Sequence, residues 1–356
     1  EGADGPGVVG QTLFVNDEPI AALLDGLPVE NHVRLAGRLR VDDPEGLADV
    51  YPVAQREHGT EMASLIVHGD LNHGEAPLPR PLYVRPVFQP SLGGERTPTD
   101  RLLVDVIHQA IRRIKLGEGG EPAAAPHVVL VNLSLADEKR PFARPMSPLG
   151  RLLDYLSYQH HLLFLVSAGN ITDRLRIDGY ESWEQFEAAS PEDREKAVLA
   201  SLNSQKSQRT LLSPAESMNA LTIGASHCGS AFSGNYPADR IDPFTAENLP
   251  NIISAMGLGF KKVVKPELLF SGGRAPVSVA ATGGGLVVTP VRVGARHFGL
   301  KTARPSLSGS ISHEDFTWGT SAATALATRA AHRIHDVLLD RAGGSNHADV
   351  TADQLP

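Results

Sequence analysis

The feature that most narrows the fold is a succession of short apolar runs that do not alternate in and out, at 20–25, 82–88, 127–135, 162–168 and 220–225. A strand wetted on one face alternates apolar with polar residues, whereas one covered on both faces stays apolar throughout. Between the runs lie stretches with helical spacing. Over 99–116, Leu102, Leu103, Val106, Ile107, Ala110, Ile111 and Ile114 recur at steps of three and four, behind Thr99 or Asp100 as N-cap. Strands alternating with helices predict an α/β fold of three layers, a mostly parallel sheet flanked by helices and joined by right-handed crossovers.

A last long helix is predicted over 321–340, with Leu326, Ala330, Ile334, Val337 and Leu338 as its apolar stripe and Gly343-Gly344 as its stop. Residues 172–213 are charged and acid-rich; they read as an insertion on the outside of the sheet, with an amphipathic helix over 183–200. Stretches 92–98, 117–126 and 271–276 read as loops. The expected organisation is one domain over 1–344 carrying the 172–213 insertion, then a flexible tail at 345–356. The linker-like opening Glu1-Gly2-Ala3-Asp4-Gly5 reads as the edge of a segment cut or processed from a longer chain.

Composition removes whole classes of function. With 33 Lys and Arg against 41 Asp and Glu, the net charge of -8 opposes binding to nucleic acid or an anionic membrane. No apolar run approaches the roughly 20 residues that span a bilayer. The single cysteine, Cys228, allows neither an internal disulfide nor a cysteine-ligated zinc cluster, and a lone thiol slightly favours the cytoplasm over secretion. No Asp-rich loop of fixed spacing points to calcium, so no obligatory metal or other cofactor is expected.

Four segments place chemistry-bearing side chains at the ends of predicted elements. Ala22-Leu23-Leu24-Asp25-Gly26 ends a buried strand in a carboxylate, and His58-Gly59-Thr60 opens a helix. Ser167-Ala168-Gly169-Asn170 delivers an amide from a strand end, and Trp318-Gly319-Thr320-Ser321 puts a hydroxyl at the start of the last helix. Each alone is an ordinary turn or cap residue. Together they supply a nucleophile, a base, a carboxylate to fix the imidazole tautomer, and a donor for a developing oxyanion. The N–H of Ser321 and the helix dipole would favour negative charge beside that hydroxyl.

The order Asp, His, Asn, Ser and the wording around each resemble the subtilisin-like serine proteases, the subtilases, whose known order is the same. His58-Gly59-Thr60 and Gly319-Thr320-Ser321 carry the resemblance most strongly, supported by Ala168-Gly169-Asn170, Val131-Asn132-Leu133-Ser134-Leu135, Asn219 to Ser226 and Lys265-Pro266-Glu267. The resemblance spans 20–334 and implies a serine endopeptidase with Ser321 as nucleophile, His58 as general base, Asp25 as its orienting carboxylate and Asn170 as oxyanion donor. It further implies a protein or peptide substrate bound as an extended strand beside Leu133, Ser134 and Leu135, with Ser134, Leu135 and Ala136 and Ser167, Ala168 and Gly169 bounding the primary pocket.

The departures from the family pattern are specific. Asp25 is followed directly by Gly26 where subtilases have Ser or Thr before the Gly; Ala322-Ala323-Thr324-Ala325 lacks the usual Met and Pro; and Ala136 stands where Gly is common. They leave a second reading open, a subtilase-like fold that binds or regulates without cleaving. The 172–213 insertion, directly after Asn170, is expected to shape access to the cleft or to dock a protein partner.

Overall fold

Eight strands make the central sheet: β1 Ala21–Asp25, β2 Leu39–Val41, β3 Leu82–Pro86, β4 Leu130–Leu133, β5 Leu163–Ser167, β6 Leu221–His227, β7 Leu249–Pro250 and β8 Leu268–Ser271. Their order is β7-β6-β5-β4-β1-β3-β2, with β8 also paired to β6, and every pairing except β6 with β7 is parallel. The structure is a computed structural model, and it describes residues 16–91, 94–229, 240–283, 285–291 and 298–341.

The unbroken apolar character of β1 has its reason in two helical layers. Ala21 and Leu23 pack into one core with α1 (Glu57–His68) and α6 (Thr320–Arg341), while Ala22 and Leu24 point into another with α2 (Leu103–Leu116) and α3 (Pro148–His160). Burial on both faces is worth about 1.5–3 kcal/mol for each large side chain, so the strand has no place for a polar residue before Asp25. Helix α6 presents Ala322, Ala323, Ala325 and Ala327 inward. Small side chains with high helix propensity let it run close to the sheet.

Several boundaries differ from the sequence expectation. Helix α2 begins at Leu103; Leu102 occupies the cap without a side-chain hydrogen bond, and Thr99 and Asp100 lie in the turn before it. The helix expected over 183–200 is two, α4 (Trp183–Ala188) and α5 (Pro191–Ser204). Pro191 cannot continue a helix, and the Ser190 hydroxyl caps the new one by accepting from Asp193 N at 3.1 Å.

The 172–213 segment is also less separate than its composition implies. Leu175–Ile177 joins a four-stranded antiparallel sheet with Arg240–Ile241, Val277–Thr282 and Gly285–Pro290. Phe186, Val198 and Leu202 from α4 and α5 share a core with Val277 and Leu286 from that sheet. Within 92–98, read as loop, Gly94–Arg96 pairs with Gln89–Ser91 as a hairpin. The Gly343-Gly344 stop and the 345–356 tail lie outside the described residues. No described helix is long and apolar enough to cross a membrane.

Candidate active site

The sheet register brings the expected groups to one edge. Leu23 stands opposite Asn132 and Leu133 opposite Val166, so two residues on from the first pair Asp25 is level with Ser134, and one residue on from the second Ser134 is level with Ser167. This is the carboxyl edge of the parallel strands, where such sheets bind ligands. Helices α1 and α6 lie against each other on one face of the sheet, and both begin at this edge. His58 and Ser321 are each the second residue of their helix.

Asp25 is fully buried, and its Oδ1 accepts from Gly26 N and from His58 Nδ1, each at 2.7 Å. With Nδ1 donating, the other ring nitrogen of His58 is the one left for a reacting proton. The start of α1 is fixed by its neighbours in the motif. A β-carbon on Gly59 would lie 2.2 Å from the Gly26 carbonyl oxygen, so only glycine allows the helix to seat there. The Thr60 hydroxyl donates to Arg56 O and accepts from Val29 N, tying the helix to the chain on both sides.

Ser321 sits beside Ser134: its Oγ donates to Ser134 O at 2.9 Å, and Ser134 Oγ donates back to Ser321 O at 3.0 Å. The Ser321 hydroxyl makes no hydrogen bond to His58 in this arrangement, so a χ1 rotation is needed to form one. Asn170 Oδ1 accepts from Thr320 N at 3.0 Å and from Thr320 Oγ1 at 2.9 Å, which leaves the Nδ2 hydrogens for another acceptor. Gly319, at φ +122°, passes so near that a β-carbon would be 3.0 Å from that Nδ2. The peptide before Ser321 and the Asn170 amide are thereby locked together.

The residues expected to bind substrate lie at the same edge, but they are largely enclosed. Leu133, Ser134, Ser167 and Ala168 are buried; Ser167 Oγ is hydrogen-bonded to Thr320 Oγ1 at 2.7 Å; and Gly169 is closed over by Leu212, whose side chain would meet a β-carbon at 2.6 Å. Leu135 is nearly buried and Ala136 half-buried.

One acidic side chain at the site was not foreseen from the sequence. Glu95, on the hairpin, has a carboxylate oxygen within 4.8 Å of ligand atoms of both Asp25 and His58, and it accepts a hydrogen bond from Tyr51 OH. Burial and the charge of Asp25 push the Glu95 carboxyl up to about 7. For His58, burial pulls the imidazole pKa down, but the Asp25 carboxylate, with Glu95 and Glu61 beyond it, outweighs that and raises it above 6.5. The ring is 35% exposed, so water screens part of that field. The only sequence hint of Glu95 is the glycine at 26, where the resembled family carries a side chain.

Comparison with known proteins agrees with this architecture. The subtilase family model matches residues 16–346. An uncharacterized protein, y4bN, of Sinorhizobium fredii (strain NBRC 101917 / NGR234) is 29% identical over 143 residues, which cover 40% of this chain and 30% of that protein. Among solved structures, the prenylagaramide maturation protease PagA superposes with a TM-score of 0.49 at 16% identity, covering 92% of this chain and 78% of that one. The epidermin leader peptide processing serine protease EpiP of Staphylococcus aureus gives 0.48 at 14% identity, covering 92% and 68%. A family match across nearly all of the described residues, on a mostly parallel sheet flanked by helices, settles the relationship: this chain belongs to the subtilase family.

Proposed function

We propose that the chain is a serine endopeptidase in which Ser321 attacks a peptide carbonyl, His58 takes and returns the proton, and Asp25 orients the imidazole and stabilises its charged form. Asn170 Nδ2 and the N–H of Ser321 would share the oxyanion. The observation that carries this reading is the 2.7 Å Asp25–His58 hydrogen bond at the head of α1, beside the parallel head of α6 that presents Ser321. Membership of the subtilase family supports the same chemistry. The substrate chain would lie extended along Ser134 to Ala136, and Leu212 behind Gly169 would keep the primary pocket shallow, which suits a small uncharged side chain.

A second reading, a subtilase fold that binds without cleaving, has one observation in its favour: the Ser321 hydroxyl is turned to Ser134 O. Labelling with a fluorophosphonate separates the two. The peptidase reading expects labelling that disappears in Ser321→Ala; a folded wild-type chain that takes no label favours the binding module.

A further inference from the structure

Glu95 has no part in the scheme above, yet the structure makes room for it at the centre of that scheme. A β-carbon on Gly26 would lie 1.8 Å from Glu95 Oε1, so the carboxyl occupies the space a residue 26 side chain would need. Gly26 is not one of the left-handed glycines, so backbone conformation does not account for it. The carboxyl is also anchored, because Tyr51, only 2% exposed, donates its hydroxyl to Glu95 Oε1. Beneath it, Asp25 Oδ1 accepts both hydrogen bonds of that side chain, and Oδ2 is buried with no partner among the described residues.

We propose that Glu95 is a positioning residue acting through His58: held over Gly26 by Tyr51, its carboxylate stabilises the imidazolium and thereby sets the lowest pH at which His58 can accept the Ser321 proton. This deepens the peptidase reading and rests on it. An anion near the Asp25–His58 pair favours the charged ring, and a charged ring has no lone pair to offer a hydroxyl. The Ser321 hydroxyl turned toward Ser134 O fits that resting state. Deprotonation of His58 opens the route for the rotation that joins Ser321 to it.

The groups facing this pair from each packed element are few. Asp25 comes from β1, Glu61 from α1, and Tyr51 and Arg56 from the segment before α1. Glu61 is itself engaged by Thr317 Oγ1 at 2.9 Å and Arg304 at 3.4 Å, so its influence on His58 is offset by a cation. Glu95 has no such cation within hydrogen-bonding reach among the described residues, and its anchor is the Tyr51 hydroxyl. It is therefore the neighbour whose removal changes the field at His58 most cleanly.

The test is an NMR titration of the His58 ring in the Ser321→Ala chain, which reads the imidazole without any turnover. Glu95→Gln is expected to lower the His58 midpoint by about one pH unit or more, the size of effect an adjacent charge has. Gly26→Ala, whose β-carbon expels the carboxyl, should give a fall of the same size, and the double variant should add nothing. Tyr51→Phe, which releases the anchor, should move the midpoint the same way and keeps the test available if Glu95→Gln does not fold. In the Ser321 chain, Glu95→Gln should carry the acid limb of kcat/KM to lower pH by the same interval. A His58 midpoint that stays put in folded Glu95→Gln overturns the proposal. A chain that takes no fluorophosphonate, yet shows the midpoint fall, loses the peptidase reading and keeps the coupling.

Discussion

Gly59 seats against Gly26 so closely that a β-carbon at 59 would fall 2.2 Å from the Gly26 carbonyl oxygen and 2.8 Å from its carbon. Both neighbours are backbone of the segment that leaves β1 after Asp25, so neither can move aside without shifting the carboxylate. Gly59→Ala is therefore expected to push the head of α1 away from β1. The strain should cost about 1–3 kcal/mol of stability, read by denaturant unfolding. Displacing His58 by even 1 Å should lower kcat/KM on the order of 10². Full activity in a folded Gly59→Ala chain would contradict this role for the glycine.

Asn170 is held by Thr320 through both a backbone and a hydroxyl hydrogen bond, at 3.0 and 2.9 Å, so its amide is aimed before any substrate arrives. Asn170→Ala should lower kcat by on the order of 10²–10³, the loss already known for an oxyanion-hole asparagine of this family, with KM little changed. Thr320→Val should keep the backbone bond to Asn170 and lose the hydroxyl one, giving a smaller fall in the same parameter. Steady-state kinetics on a peptide substrate distinguishes the two. A fall confined to KM would argue that Asn170 binds substrate without stabilising the transition state.

What could be read from the sequence had a local cause. The strands were legible because burial on two faces forbids alternation, and the motif residues because each solves a packing or capping problem in its immediate surroundings. Gly59 clears the Gly26 carbonyl, Thr60 bridges Arg56 and Val29, and Thr320 reaches Asn170. The Lys-Pro-Glu segment is explained in the same way: Lys265 Nζ donates to Ala220 O at 2.8 Å and Glu267 Oε2 accepts from Thr222 N at 2.8 Å, fixing β6 beside β8.

Glu95 was not legible, because its meaning is tertiary. It stands in a short Gly-rich stretch without apolar periodicity, and only the hairpin that carries it over Gly26 gives it a role. The satellite sheet escaped for a related reason, since Leu175–Ile177 finds its partner at Gly285–Pro290, far along the chain. The α2 start was misplaced because Thr99 and Asp100 are good cap residues that the chain spends in a turn.

Arg209 links that satellite region to the segment that carries Asn170. It is 2% exposed, and its Nη2 donates to the carbonyls of Ile171 and Ile252, the first of these adjacent to Asn170. Arg209→Met fills similar volume but leaves two buried carbonyls without that donor, at about 1–3 kcal/mol each. Thermal unfolding should show the loss. Because the Asn170 segment loosens, kcat should fall by more than KM rises. A stability loss with kinetics untouched would confine Arg209 to the scaffold.

Asp336, on α6, makes a pH-sensitive contact away from the site. Its carboxylate lies 2.9 Å from Arg80 and 3.3 Å from His332, with His335 at 3.8 Å, and Arg80 is itself nearly buried. Burial would raise the Asp336 pKa, but the nearby rings of His332 and His335 and the Arg80 hydrogen bond outweigh it and hold the carboxyl below its ordinary 3.8. A carboxylate with a depressed folded pKa contributes stability that is fully present above its unfolded value and is lost as pH falls through the folded one. Denaturant unfolding from pH 7 downward should show stability falling once the pH passes below about 4. Asp336→Asn should be less stable at pH 7 by about 3 kcal/mol, because it leaves a buried guanidinium unpaired. It should also lose this group's share of the acid slope. An acid slope identical to that of the wild type would show that other carboxylates carry the transition.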